Sequence, residues 1–375
     1  MKKIKLLMGT VGKGKGGTPT YAVRLFSMLD KEKFEVTFLS NTPHPYYEEE
    51  ILAGGGRIAA IPSRSSHPLA HRRALRQALA EGFDICHIHL VSASNIDAVE
   101  EAVRAKVPFI LAHSHCAACE GNTAAKLMHK YNLPRLRKLP IARLACSKSA
   151  GSYLFLDAPA TVVPNAIDLA RFAYREADRA AFRKKWGLEG CFVIGHVGRL
   201  VPIKNQVFLM ETFVEVKKRE PAARLVFAGD GPDEGMLRQR AAELGIENET
   251  LFLGNVPDPE TVFNGIDCFV LCSLKEGFGM VVIEAAASGL PCFAADTAAP
   301  EVYALPSIQA FSLSDSKTKL AGRLLACRGL PRASQGDALR AAGFEAADQA
   351  KKMEERYLAG LKAAGYRFPA EEEEG

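Results

Sequence analysis

Short apolar runs alternate with amphipathic segments along the first half of this chain. Each run ends in glycine or polar residues, and the segments between the runs place apolar residues at the spacing of one helix face. The pattern predicts strands at residues 2–8, 34–39, 85–90, 108–112 and 142–146, and helices at residues 21–29 and 95–105. Because short buried strands that alternate with helices build doubly wound parallel sheets, we expect that fold, with ligands beyond the carboxyl ends of the strands.

A second series of the same kind follows a charged, helix-like stretch at residues 171–186. Its predicted strands are residues 191–195, 223–228, 250–253, 268–272 and 291–294. This α/β pattern predicts two Rossmann-like domains, with a boundary between Asn165 and Asp178. We assign residues 1–168 to the first domain and 169–349 to the second. A helix near residues 350–370 is expected to pack back on the first domain, and the acidic run at 370–375 is predicted to be disordered.

The composition fits a globular protein with more than one core. The chain has 375 residues, of which 48% are hydrophobic and 24% are charged. No apolar run approaches the roughly 18–20 residues that span a bilayer, and the short run after the first two lysines is below signal-peptide length. The nine cysteines are scattered. We therefore expect a protein of the reducing cytoplasm.

The net charge of +5 conceals an asymmetry between the two halves. Residues 1–165 hold 22 Lys and Arg against 13 Asp and Glu, a net charge of +9, whereas the remaining residues sum to −4. In the basic half, the segment from Lys126 to Leu139 mixes cations with Leu, Met and Tyr. Such a segment can lie on an anionic membrane surface, and the alternative is an ordinary solvated helix face packed by its leucines. Attachment to the inner face of the plasma membrane therefore stays open, and we expect no nucleic-acid partner.

The glycine-rich stretch "GTVGKGKGG" that begins at Gly9 partly matches two phosphate-binding motifs. A P-loop needs Ser or Thr directly after its lysine, where this chain has Gly16. The dinucleotide fingerprint that starts at Gly12 lacks the acidic residue expected at the end of the second strand. What remains is Gly16 with Gly17, where the backbone can approach an anion just before a helix. The alternative is a flexible surface loop.

Two carboxylates, Glu276 and Glu284, stand seven residues apart around a glycine-bearing turn that leads into an apolar helix. That spacing places Glu276 in the loop and Glu284 about two turns along the helix, so both can face one ligand. The backbone N–H groups of Phe278, Gly279 and Met280 then lie at the helix start, which favours a diphosphate. Carboxylates beside such a turn can accept hydrogen bonds from sugar hydroxyls.

Three further segments accompany this pair: "VPNAID" at residues 163–168, "GHVGRLVPIKNQ" at 195–206 and "FAGDG" at 227–231. With the E-x7-E pattern, they make the chain resemble the GT-B fold glycosyltransferases of family 4. These are retaining nucleotide-sugar enzymes that include capsular, lipopolysaccharide and exopolysaccharide transferases. The resemblance covers nearly the whole chain, and its strength lies in the combined order of the motifs.

The resemblance implies two Rossmann-like domains that face each other across a cleft, the first for the acceptor and the second for the donor. It places Arg199 and Lys204 on the donor diphosphate, Glu276 on hydroxyls of the transferred sugar and Glu284 on the nucleotide ribose. It also implies that the Gly16–Gly17 pair closes over the phosphates. Since two cations can neutralise a leaving nucleoside diphosphate, we expect no metal and no cofactor.

The family also carries a histidine at the end of a strand in its first domain, near the acceptor and the reacting sugar. Here His113 and His115 both qualify, with a slight preference for His115. Because Cys116 and Cys119 follow directly, zinc binding and redox activity are alternatives to ordinary packed cysteines, which we favour.

Two more histidines, His87 and His89, alternate along a predicted strand, and we expect packing or hydrogen bonding there in preference to catalysis. The chain departs from the family pattern in two places, at "TPT" after Gly17 and at "TAAPE" from Thr297. The first departure lies where the family makes acceptor-side contacts, and the second lies in the loop that meets the donor.

The sequence thus predicts a retaining, metal-independent hexosyltransferase that moves a sugar from a nucleoside-diphosphate donor, a UDP-sugar by preference. Its expected acceptor is a hydroxyl of a lipid-linked or oligosaccharide glycan destined for the cell surface. The alternatives are a UDP-sugar epimerase of the same fold, a non-catalytic binding subunit and an NTP-hydrolysing protein.

Overall fold

The computed structural model describes residues 3–116, 122–276 and 278–368. The chain divides into two compact units, of which the first takes Met1–Ala166 and the segment that begins at Ala346, and the second takes Ile167–Glu345. The domain limits expected from the sequence were 168/169 and 349/350. Cys119 and the acidic run at 370–375 lie outside the described residues.

The first unit contains a sheet of seven strands in the order β3-β2-β1-β4-β5-β6-β7. All of its described strand pairs are parallel. The strands are β1 (Ile4–Val11), β2 (Phe34–Ser40), β3 (Arg57–Ala60), β4 (Ile85–Leu90), β5 (Phe109–Ser114), β6 (Ala142–Ala145) and β7 (Thr161–Val162). The order reverses between β1 and β4, which makes this pair the switch point of the sheet.

The helices that cover this sheet are α1 (Gly17–Met28), α2 (Glu48–Ala53), α3 (Pro68–Leu79), α4 (Asp97–Arg104), α5 (Thr123–Lys138), α6 (Lys148–Phe155) and α14 (Ala346–Ala363). Asn122 and Ser147 cap α5 and α6 with side-chain oxygens, which satisfy N–H groups of the first turn. The last helix belongs to the core of this unit, because Tyr357 of α14 is fully buried with its ring 5.8 Å from that of Phe34.

The second unit has a six-stranded parallel sheet in the order β10-β9-β8-β11-β12-β13, which is the Rossmann order 3-2-1-4-5-6. Its strands are β8 (Val193–Val197), β9 (Arg224–Ala228), β10 (Thr250–Phe252), β11 (Cys268–Leu271), β12 (Cys292–Ala295) and β13 (Ile308–Phe311). Its helices are α7 (Glu176–Trp186), α8 (Gln206–Lys217), α9 (Glu234–Glu243), α10 (Pro259–Gly265), α11 (Met280–Ala287), α12 (Lys317–Leu325) and α13 (Gly336–Ala341). The inner strands β11 and β12 are buried along their whole length, as expected where helices cover both faces.

The strands predicted from apolar runs are present, with shifts of at most three residues at their ends. The first strand was predicted to stop at Met8, but β1 continues to Val11 and takes up the start of the glycine-rich stretch. Gly9 is needed there because a Cβ on it would lie 2.7 Å from the backbone nitrogen of His89. The sequence pattern missed β3, β7 and β13, which are short strands at or near the sheet edges. Among the described helices, none combines the length and apolar character needed to cross a membrane.

Candidate functional site

The predicted donor residues gather at the carboxyl ends of β8 and β11 in the second unit. These two strands pair directly, with Ile194 opposite Cys268 and Gly195 opposite Phe269. The strand order reverses between them, and ligands of open α/β sheets bind at such a switch point. The loops after β8 and β11 therefore meet at the edge where the fold places its ligand.

Hydrogen bonds to backbone carbonyl groups connect these two loops. The Leu274 N–H donates to the Ile203 carbonyl at 2.8 Å. The Cys272 thiol lies 3.3 Å from the Lys204 carbonyl and 3.2 Å from that of Asn205. Asn205 adopts a left-handed conformation, φ +53°, which turns the chain from a short 3-10 turn, Pro202–Lys204, into α8. Lys204 therefore lies on a turn that is hydrogen-bonded to the loop after β11.

Lys204 and Glu276 form an ion pair across these loops. The Lys204 Nζ atom lies 2.6 Å from Glu276 Oε2, and the two side chains are only 22% and 15% exposed. The Ser273 hydroxyl donates to the same Oε2 at 3.0 Å. Thr297, from the loop after β12, donates to the Ser273 carbonyl at 2.7 Å and so steadies this arrangement.

Arg199 stands on the same loop as Lys204, with its side chain exposed. Its carbonyl accepts a 2.8 Å hydrogen bond from the Gln206 amide, which also lies 3.4 Å from His196 Nε2. His196 is fully buried on β8, and its Nδ1–H donates to the Val270 carbonyl at 3.0 Å. Burial lowers the pKa of His196 to about 4. A neutral histidine thus lies beneath the loop that presents the two cations.

Two glycines of the "FAGDG" segment allow this loop to approach the loop after β9. A Cβ on Gly229 would lie 2.1 Å from the Gly198 carbonyl oxygen, and one on Gly231 would lie 2.1 Å from the Leu200 carbonyl oxygen. The Leu200 N–H donates to the Asp230 carbonyl at 2.7 Å. The motif is therefore explained by close backbone packing behind Arg199.

The helix after Glu276 begins where the sequence predicted. Gly279 is the N-cap of α11 with φ +88°, a left-handed conformation that suits glycine. Phe278 is buried with its ring 6.0 Å from that of Phe344, which anchors the turn. Met280 is the first residue of α11, and no side chain of the described residues caps this helix. The first-turn N–H groups thus keep the partial positive charge of a helix start.

Glu284 lies on α11 and is partly buried. Its carboxylate acts electrostatically on Arg171. Arg171 forms a two-pronged ion pair with Glu260, at 3.0 and 3.1 Å. Burial opposes the charge of Arg171, yet its pKa is raised because the Glu260, Asp258 and Glu284 carboxylates surround it.

The remaining candidate residues lie in the first unit. Gly16 and Gly17 are exposed at the start of α1, where Gly16 is the N-cap and its carbonyl accepts from the Thr20 hydroxyl at 2.8 Å. A Cβ on Gly17 would meet no described atom within 4 Å. Packing within the chain therefore does not require a glycine at position 17.

His113 and His115 are both buried at the end of β5, with exposures of 0% and 6%. They join His87 and His89 of β4 in one group of contacting rings, which we call the four-histidine cluster. The hydrogen bonding expected for His87 and His89 is present. His87 bonds to His113 and to the Tyr357 hydroxyl, and His89 bonds to His115. The metal hypothesis that combined His113 and His115 with the two cysteines depends on Cys119, outside the described residues.

Sequence reasoning missed the supporting residues of the second unit. His196 and Gln206 stand inside the "GHVGRLVPIKNQ" segment, and the available signal for His196 was its position directly after the strand predicted at residues 191–195. Ser273 and Thr297 carried no signal, since a lone Ser or Thr in a loop is common. Their role depends on the contact between two loops 24 residues apart.

Two family models match this chain, one largely in each unit. The family described as Glycosyltransferase Family 4 matches residues 15–171, and the family described as Glycosyl transferases group 1 matches residues 178–320. The two matched segments fall largely in the first and the second unit respectively.

Individual relatives match over most of the chain. EpsF of Bacillus subtilis, named as a glycosyltransferase, is 32% identical over 318 residues, which cover 81% of this chain and 82% of the relative. An Escherichia coli enzyme named UDP-Gal:alpha-D-GlcNAc-diphosphoundecaprenol alpha-1,3-galactosyltransferase is 26% identical, over 74% of this chain and 75% of the relative. Anabaena Alr3699/HepE, solved in complex with UDP, superposes with a TM-score of 0.79 at 18% identity, over 96% of this chain and all of that one.

Proposed function

This chain belongs to glycosyltransferase family 4 and has the GT-B fold, and on that basis we propose that it is a retaining glycosyltransferase that uses a UDP-sugar. The acceptor is a hydroxyl of a lipid-linked or oligosaccharide glycan for the cell surface. The Lys204–Glu276 ion pair at the switch point, with Arg199 on the same loop, is the observation that carries this proposal. The named donor and acceptor of the Escherichia coli relative and the UDP held by HepE support the choice of substrates.

Cations and a helix start supply the donor diphosphate site. Lys204 and Arg199 stand on the loop between β8 and α8, and the N–H groups of Phe278, Gly279 and Met280 stand at the start of α11. Charge develops on the diphosphate as the glycosidic bond breaks, and fixed cations and N–H dipoles stabilise it without reorganising. This chain's own residues then take the role that a divalent ion has at other diphosphate sites, so the transfer step needs no bound metal.

Glu276 binds the transferred sugar through the carboxylate oxygen that Lys204 leaves available. The described contacts from Lys204 and Ser273 both go to Oε2. Oε1 can therefore accept a hydrogen bond from a sugar hydroxyl while Oε2 stays in place. Glu284, on the same helix, binds the ribose hydroxyls of the nucleotide.

The first unit supplies the acceptor-side groups. Gly16 and Gly17 leave the backbone at the start of α1 open to an anion, and the first-turn N–H groups of α1 add partial positive charge there. His115 directly follows β5 at the carboxyl edge of the sheet, and we propose it as the acceptor-side histidine. The acceptor oxygen forms its bond to the anomeric carbon on the face that the diphosphate leaves, and the hydroxyl proton passes to the departing phosphate oxygen. No protein nucleophile takes part in this step.

Helix α5 gives the first unit a surface suited to an anionic membrane. Leu127 and Tyr131 are 63% and 64% exposed, one helical turn apart, and Lys126 and Lys130 are exposed beside them. Exposed apolar side chains among lysines bind anionic lipid by burial and by charge. This surface holds the enzyme at the membrane where a lipid-linked acceptor resides.

The purified chain can be tested with a panel of UDP- and GDP-sugars, with and without an undecaprenyl-diphosphate-linked sugar as acceptor. We expect nucleotide release and a heavier lipid product only when donor and acceptor are both present, and NMR of the product gives the anomeric configuration. An inverted product contradicts retention. An epimer formed from the donor alone indicates the epimerase, magnesium-dependent phosphate release from ATP indicates the hydrolase, and donor binding without turnover indicates a binding subunit.

A further inference from the structure

The four-histidine cluster of the first unit brings imidazole rings together from two neighbouring strands. His87 and His89 alternate along β4, His113 lies on β5, and His115 directly follows the end of β5. The parallel register sets His89 opposite His113. Because residues two apart in a strand point to the same face, all four rings project from one side of the sheet.

Three of these rings lie close enough to share one ion. A ring nitrogen from each of His87, His89 and His113 lies within 4.8 Å of the other two. His87 Nε2 and His113 Nδ1 are 3.2 Å apart. Zn–N bonds of about 2.0–2.1 Å set two nitrogen ligands of a tetrahedral ion about 3.4 Å apart. One pair already stands at that separation, and the third ring needs to approach by little more than an ångström.

Partners on the opposite ring nitrogens hold two of these imidazoles in place. The His87 Nδ1 atom lies 2.6 Å from the Tyr357 hydroxyl of α14. The His89 Nδ1 atom lies 2.9 Å from His115 Nε2. Metal-binding histidines characteristically engage their second nitrogen in such a hydrogen bond, which fixes the ring and its tautomer. His89 Nε2 has no partner among the described residues, and His87 Nε2 faces His113 Nδ1 in a contact that the ion would replace.

Some buried polar atoms of this cluster have no hydrogen-bond partner among the described residues. The Nε2 atoms of His89 and His113 and the hydroxyl of Tyr21, whose ring packs on three of the histidines, are buried without a partner among the described residues. Each such group costs about 1–3 kcal/mol. Neutral imidazole is the form of histidine that binds a metal ion.

The geometry points to a site for one divalent transition-metal ion, of which zinc is the member we assign, held by His87, His89 and His113. Neutral imidazole nitrogen is a good ligand for zinc, and binding needs no redox partner. The ion joins β4 to β5 and, through Tyr357, ties α14 to the sheet of the first unit. Its role is structural and separate from the proposed transfer chemistry, and His113 as a ligand leaves His115 as the acceptor-side histidine.

The first test uses the untagged, full-length protein after dialysis against a chelator, with Co²⁺ as a spectroscopic probe. We expect one Co²⁺ per chain, with the strong visible absorption of a four- or five-coordinate site that Zn²⁺ then displaces. We also expect Zn²⁺ to raise the melting temperature of the metal-free protein. The assignment is overturned if Co²⁺ shows only the weak absorption of the hydrated ion and Zn²⁺ leaves the melting temperature unchanged.

A pair of matched variants locates the site. In His89→Asn the side-chain amide takes the place of the Nδ1 atom that faces His115. The Nε2 atom, which is the proposed metal ligand, is removed. His71→Asn is the control, because His71 is a buried histidine of the same unit whose Nδ1–H donates to the Pro62 carbonyl at 2.8 Å.

Zinc content is measured by elemental analysis, and folding by circular dichroism. We expect at least about tenfold weaker zinc binding in His89→Asn only, and equal binding in both variants overturns the assignment. If His89→Asn does not fold, the Co²⁺ result for the unmodified chain decides.

Discussion

The Lys204 ammonium and the Glu276 carboxylate lie 2.6 Å apart, although 72 residues separate them in the sequence. If Lys204 neutralises the leaving diphosphate, Lys204→Ala should lower the turnover number by about 100- to 1,000-fold, the usual effect of removing one transition-state contact. Turnover is measured as UDP release in the presence of acceptor. Glu276→Ala should lower it comparably, through loss of the sugar contact.

A second ion pair of the same unit is the control for this prediction. Lys217 and Glu249 lie 2.7 Å apart with side chains 30% and 20% exposed, a geometry close to that of the first pair. Lys217→Ala should leave turnover within about twofold, since partly exposed ion pairs contribute little to stability. Equal losses of turnover in Lys204→Ala and Lys217→Ala would show that the effect comes from general destabilisation.

Arg199 should contribute to nucleotide binding. Its guanidinium is exposed and has no ion-pair partner among the described residues, so it can contact a phosphate without breaking an existing contact. A hydrogen bond to a charged group contributes about 1.5–3 kcal/mol, so Arg199→Ala should weaken UDP binding roughly 10- to 100-fold. Calorimetry with UDP gives the Kd.

Arg238 is an exposed arginine of α9 that pairs with Glu234, and it provides the control. Arg238→Ala should bind UDP like the wild type. An unchanged Kd in Arg199→Ala removes Arg199 from the site.

Gly231→Ala should destabilise the second unit and lower UDP affinity. The added Cβ would lie 2.1 Å from the Leu200 carbonyl oxygen, so the two loops behind Arg199 have to separate. Such overpacking costs about 1–3 kcal/mol of unfolding free energy.

Gly235→Ala is the control, because a Cβ at this position of helix α9 meets nothing within 4 Å. This substitution should be neutral or stabilising by up to about 1 kcal/mol. Urea unfolding, followed by the fluorescence of Trp186 in the second unit, gives the free energies. Equal effects of the two substitutions would refute the packing argument.

His196 should make the second unit sensitive to acid. Burial lowers its pKa to about 4 in the folded chain, against about 6.5 when unfolded. The unfolded chain therefore binds the extra proton first, and stability that is complete above pH 6.5 is lost as the pH falls towards 4. The slope from this group is about 1.4 kcal/mol per pH unit.

The variant His196→Asn tests this dependence, because its amide can keep the donor to the Val270 carbonyl without the titrating ring. Its unfolding free energy, reported by Trp186 fluorescence, should fall less steeply with acid than that of the wild type. His44→Gln removes an exposed histidine of the first unit and should reproduce the wild-type slope. If His196→Asn keeps the wild-type slope, another group causes the acid sensitivity.

The exposed face of α5 should bind anionic vesicles. Replacement of Leu127 and Tyr131 by Ser removes two largely exposed apolar side chains and should reduce the fraction that sediments with phosphatidylglycerol vesicles by about tenfold or more. Leu52→Ser is the matched control, since Leu52 is 54% exposed on α2, whose first turn carries three glutamates that repel anionic lipid. Equal recovery of wild type with and without vesicles would exclude this surface as a membrane contact.

Much of the fold was predictable because its signals are local. The span Ile85–Leu90 was predicted from six consecutive residues and matches β4. The Gly279 N-cap and the start of α11 follow from a glycine placed before an apolar helix. The extension of β1 to Val11 was not predictable from residues 9–11 alone. It depends on the close approach of Gly9 to β4, which is a contact between distant segments.

The sequence by itself determined the alternation of strands and helices, the division into two Rossmann-like halves and the family, because periodicity and motif order can be recognised along the chain. Tertiary structure alone decided which loops meet. Lys204 reaches Glu276 because β8 and β11 are neighbours in the sheet. Four histidines form one cluster because β4 pairs with β5 in a register that sets His89 opposite His113. Strand order and register arise from packing between distant segments, and no local pattern of hydrophobic and polar residues specifies them.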